Sequence, residues 1–153
     1  MFRRSRGRRT PGAMLVLCLL APSVSAAAAN PAANVRVTDA SARFDLAYAA
    51  SASALGGYVT SENAPLAVVP RQSADAYTIT SASARALAGE LIYRAVADPT
   101  RECTFRYTLT YAGTKFILTT DAHASWTGAV TCVATTSTFD KNTGTFSVTF
   151  TMQ

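Results

Sequence analysis

The odd positions of residues 103–111 read Cys103, Phe105, Tyr107, Leu109 and Tyr111, while the even positions read Thr104, Arg106, Thr108 and Thr110. A helix would spread such a pattern around its circumference, whereas a strand places alternate residues on opposite faces of a sheet. The same alternation returns at Phe146, Val148, Phe150 and Met152 against Thr145, Ser147, Thr149 and Thr151. Two strands with one greasy and one threonine-rich face need another layer to cover the greasy side. The pattern therefore predicts an all-β chain, an antiparallel β-sandwich of immunoglobulin-like or similar type.

The rest of the chain is read around these anchors. Ala112-Gly113-Thr114 supplies a turn, and residues 116–119 return as the second arm of a hairpin. A polar loop is expected over 121–128, a strand over 129–136 and a turn over 140–144, with Gly144 suited to a positive φ. Upstream, Phe44, Leu46 and Tyr48 share a face, and Gly56-Gly57 breaks an Ala/Ser stretch before a short extended piece at 58–60. Pro65 and Pro70 bracket residues 66–69, which restricts them to a short edge strand or a linker, because proline cannot donate to a ladder. Residues 77–80 are extended. Gly89 interrupts good helix formers, so it reads as the turn before a strand over 90–96, with one helical turn at 84–88. Six to eight strands are expected.

The first 26 residues stand apart. Arg3, Arg4, Arg6, Arg8 and Arg9 precede an apolar run over 13–21 and small residues ending at Ala26, the layout of a cleaved secretory signal peptide. Pro11 and Pro22 confine the apolar run to about half of the roughly 20 residues that a membrane span needs. The sequence has 14 Lys and Arg against 9 Asp and Glu; with five cations in the leader, nine of each are left and the mature charge is near zero. The remaining cations are dispersed, with no stripe of the kind that neutralises phosphates, so no nucleic-acid partner is expected. A flexible lead-in is expected over 27–34, followed by a single domain over 35–153.

Cys18 departs with the leader, and Cys103 and Cys132 are left as a pair in an oxidising compartment, which reads as one disulfide. Both fall on apolar faces. The bridge would join either neighbouring strands or opposed sheets. One histidine and no C-x-x-C pair leave no ordinary zinc site, and no Asp-x-Asp cluster suggests calcium, so no metal or cofactor is expected.

Residues 121–126 hold His123 and Trp126, the only histidine and tryptophan. If extended, Asp121, His123 and Ser125 would share a face, but same-face neighbours lie about 7 Å apart, which is poor geometry for a hydrolytic triad. Two readings stay open: a polar loop in which Trp126 covers one end of the core, and a ligand-recognition loop carried by a rigid scaffold, with His123 and Trp126 as its candidate residues. The isolated carboxylates, the missing phosphate loop and the missing nucleophile elbow point away from an enzyme.

With its two cysteines and its final alternating strand, the chain resembles fimbrial subunits, which implies completion by a donor strand. Residues 65–81, Tyr93 and Cys103-Thr104-Phe105 look similar to aegerolysin-type cytolysins, which implies a small lipid-binding sandwich. The expectation is a secreted or periplasmic, monomeric binding or surface module whose partner is an envelope or extracellular ligand. A pilus-like assembly subunit, a lipid-binding cytolysin-like protein and, behind them, a small hydrolase are the alternatives.

Overall fold

The computed structural model describes residues 30–50, 54–55, 58–59, 65–125 and 130–153. The leader over 1–26 and the cleavage region lie outside them. Eleven strand segments and no helix occur among the described residues. They are β1 (Ala32–Asp39), β2 (Leu46–Tyr48), β3 (Ala54–Leu55), β4 (Tyr58–Val59), β5 (Val68–Val69) and β6 (Ala74–Thr80). The later and mostly longer ones are β7 (Ala86–Ala95), β8 (Asp98–Ala112), β9 (Lys115–Ala124), β10 (Cys132–Phe139) and β11 (Phe146–Met152).

They form two sheets. The first runs β10-β11-β1-β6-β4, and the second runs β5-β2-β7-β8-β9 with β3 also on β7. The alternating faces read from sequence meet between them. Phe105 of β8 stacks on Phe150 of β11 with ring centroids 4.8 Å apart, and Tyr107 of β8 meets Phe146 of β11 at 5.8 Å. Val35, Val37, Ile79, Leu87, Leu91 and Leu109 complete a core without solvent contact beyond 1 %. A fully buried side chain of this size contributes about 1.5–3 kcal/mol, so the facing rows bind the two layers together.

Cys103 on β8 and Cys132 on β10 form a disulfide with the Cα atoms 5.8 Å apart. Because β8 and β10 belong to different sheets, the bridge crosses the core.

Three expectations are corrected. The lead-in over 27–34 contributes to the sheet from Ala32 onward, and Ala33 is fully buried, because a small side chain is enough where β1 lies between β6 and β11. The sheet is not wholly antiparallel: β1 pairs with β11 in parallel, from Ala33 opposite Phe146 to Asp39 opposite Met152. Gly89 makes no turn. It lies within β7, opposite Tyr107, whose ring occupies the space that a β-carbon would take. By contrast, Val68–Val69 is the edge strand that its flanking prolines suggested, paired only to β2. Gly144 has the positive φ expected of its turn, at 74°.

Asp39, at the end of β1, is fully buried. Its Oδ1 accepts the Ser41 N–H at 2.8 Å, while its Oδ2 has no hydrogen-bond partner among the described residues. Burial raises its pKa; the Ser41 bond opposes this, and the Asp45 charge adds to it. The folded state therefore holds this proton more tightly than the unfolded chain does, and stability falls as pH rises from the unfolded value of about 3.9 through the raised folded value. Asp39→Asn keeps the Ser41 acceptor and removes the charge. Its melting temperature at pH 7 is expected to exceed the parent's, with the gain shrinking as the pH is lowered towards about 4. Calorimetry across that range checks the sign.

Candidate functional site

His123 belongs to a strand rather than to a loop. β9 continues to Ala124, with Thr104 opposite His123 and Arg106 opposite Asp121, so both polar side chains lie on the outer face of the second sheet. His123 Nδ1 stands 3.4 Å from Asp121 Oδ2, and both side chains are well exposed. Ser125 donates its hydroxyl to Glu102 Oε1 at 2.5 Å, and Arg94 Nε donates to Glu102 Oε2 at 2.6 Å. Partial burial works against the Glu102 carboxylate, yet the bonds from Ser125 and Arg94, with the nearby cationic charge, hold its pKa below the usual value. Arg106 pairs with Glu90 in the same band. Ser125 is thus aimed at Glu102 and not at His123, so the row is a mutually satisfied charge lattice without a nucleophile–base contact. Trp126 lies outside the described residues, so the structure places only His123 of the expected pair.

The opposite end of the molecule has a different character. The β8–β9 turn carries Tyr111, Lys115 and Ile117, with Tyr111 39 % and Ile117 55 % exposed. Two further turns are tied to it by backbone hydrogen bonds. The Tyr111 N–H donates to the Arg85 carbonyl at 2.9 Å on one side, and the Phe116 N–H donates to the Lys141 carbonyl at 2.8 Å on the other. Arg85, Lys115 and Lys141 are therefore gathered around an apolar hairpin tip.

These cations differ from most others among the described residues. Arg71, Arg94, Arg101 and Arg106 each pair with a carboxylate, whereas the side chains of Arg85, Lys115 and Lys141 make no ion pair among the described residues. Asp140 adjoins Lys141, but its carboxylate accepts the Asn142 N–H at 2.8 Å and the Thr143 hydroxyl at 2.9 Å, bonds that lower its pKa. Three cations against one carboxylate leave this end positive. Sequence reading missed it because residues 85, 115 and 141 are far apart in the chain. The available signal was that each lies in or beside a turn.

Two face-to-face sheets, a crossing disulfide and a cationic, partly apolar end define a small β-domain with a polarised surface. No family model matches the chain, and no curated protein matches it. Among solved structures, its fold is similar to the crystal structure of the lipid binding protein Nakanori, with a TM-score of 0.56 and 12% sequence identity over 81% of this chain and 71% of that chain.

Proposed function

We propose that this protein is an exported, monomeric, non-enzymatic binding module that docks on anionic lipid surfaces through its β8–β9 end. The single observation that carries the reading is the gathering of Arg85, Lys115 and Lys141, without acidic partners among the described residues, around exposed Tyr111 and Ile117. Tyr111 and Ile117 lie on alternate faces of the hairpin, so its tip can sit in the interfacial zone with an apolar group on either side, while the cations meet lipid phosphates. The lipid-binding character of the structural neighbour supports the same class of ligand. His123, eight residues along β9 from Lys115, stands roughly 26 Å away and faces solvent in this orientation.

Each cation near an anionic bilayer contributes about 1 kcal/mol. Substituting Arg85, Lys115 and Lys141 together by Ser is therefore expected to weaken binding to phosphatidylglycerol-containing vesicles by roughly 100-fold. Cosedimentation measures it. Equal binding to pure phosphatidylcholine vesicles, or a triple variant that binds as well as its parent, would overturn the reading.

A further inference from the structure

The outer face of the first sheet contains a second, separate feature. A shallow groove of about 320 Å³ crosses four strands, lined by Asn34 and Arg36 of β1, Thr78 of β6, Ser137 of β10, and Ser147 and Thr149 of β11. Strand register explains the hollow. Arg36 has Thr149 on one side and Ala76 on the other, and the methyl group of Ala76 leaves room beside the guanidinium. Asn34 lies one row away between Ser147 and Thr78, and accepts a hydrogen bond from the Thr78 hydroxyl at 3.1 Å. A bulge in β10 between Thr136 and Thr138 inserts Ser137 at the far wall.

The chemistry of this groove is one positive charge within a field of neutral donors and acceptors. Arg36 is exposed and makes no hydrogen bond or ion pair among the described residues. The described carboxylates that could have neutralised it are engaged elsewhere: Asp45 with Arg71, Glu90 with Arg106, Asp98 with Arg101, Glu102 with Arg94, and Asp75 with the Leu66 N–H. A guanidinium fork matches a carboxylate or sulfate in bidentate fashion. One cation without neighbouring lysines is a poor receptor for a polyphosphate or nucleic acid, which needs several. Hydroxyl and amide groups repeated at the strand spacing of about 4.8 Å suit a ligand that is itself studded with hydroxyls.

We propose that this groove binds an acidic saccharide, with its carboxylate or sulfate on Arg36 and its ring hydroxyls on Asn34, Ser147 and Thr149. The site is independent of membrane docking at the β8–β9 end, because it shares none of those residues and lies on a sheet face. Amide NMR titration of the disulfide-intact protein tests it with four probes: trigalacturonate, a sulfated glucosamine–uronate disaccharide, maltotriose and inorganic sulfate.

The expected result is shifts at residues 34–36 and 147–149 with one or both acidic sugars, the two arms reporting which acid is preferred, and none with maltotriose. Arg36→Gln should weaken that binding at least tenfold while leaving vesicle binding intact. The Arg85, Lys115 and Lys141 triple variant should show the converse. Thr149→Val, a surface change that keeps the charge, should weaken sugar binding by a smaller factor. Inorganic sulfate giving equal shifts at equal concentration, maltotriose binding as well as the acidic sugars, or Arg36→Gln having no effect would each overturn the proposal.

Discussion

Gly89→Ala is expected to destabilise the fold by about 3 kcal/mol or more, the upper range for overpacking a closed core. A β-carbon at this position would lie 2.1 Å from the Tyr107 hydroxyl oxygen and 2.3 Å from the ring carbon that bears it. Neither distance is tolerable, and Tyr107 cannot simply swing aside, because it is buried and packed on Phe146 of the other sheet. The mechanism makes a second claim. Tyr107→Phe removes a hydroxyl without a hydrogen-bond partner and should be close to neutral alone, yet it should not rescue Gly89→Ala, because the ring carbons still clash. Tyr107→Leu should rescue in part, so the double variant loses less than the two singles combined. Urea unfolding of the parent, the three single variants and the two double variants measures this, and purely additive losses would show that ring and glycine are not coupled.

Removing the disulfide should have an effect of similar size. Cys103 and Cys132 are 29 positions apart, for which the chain-entropy estimate gives about 3–4 kcal/mol. That is a large part of the roughly 5–15 kcal/mol that holds a typical domain together. The Cys103→Ala, Cys132→Ala double variant is expected to lose that amount in urea unfolding, without dependence on added reductant. The loss should be uneven along the chain. β10 is an outer strand of its sheet, with its backbone ladder paired only to β11, so its amides should lose protection from hydrogen exchange before those of β1 do. A loss below about 1 kcal/mol would mean that the reduced chain is already constrained by other means.

These two sites also show what the sequence could convey. Cys103 and its alternating neighbours announced a strand with an inward sulfur because alternation is local. Gly89 was misread because its place in β7 depends on a ring reaching over from β8, a fact that no window around residue 89 contains. The start of β1 is hidden for a related reason: Ala32 and Ala33 carry little hydrophobic signal, and the burial of Ala33 follows from lying between two other strands. Whether the bridge joins neighbours or sheets was open until topology put Cys103 and Cys132 on different layers. The same limit applies to surface chemistry. His123 and Asp121 are near in sequence and were found at once, whereas Arg85, Lys115 and Lys141 become neighbours only when three turns meet. Arg36 is invisible to a sequence window because its unpaired state among the described residues depends on where distant carboxylates are spent.

The parallel pairing of β1 with β11 sets an order of events for biogenesis. β1 is an interior strand of its sheet, yet one of its two hydrogen-bonding partners lies about 110 residues further along the chain, so that sheet cannot close until β11 has been synthesised. Pairings of such long sequence separation form slowly. A polypeptide wired in this way commits to its final shape only once these two distant segments have met.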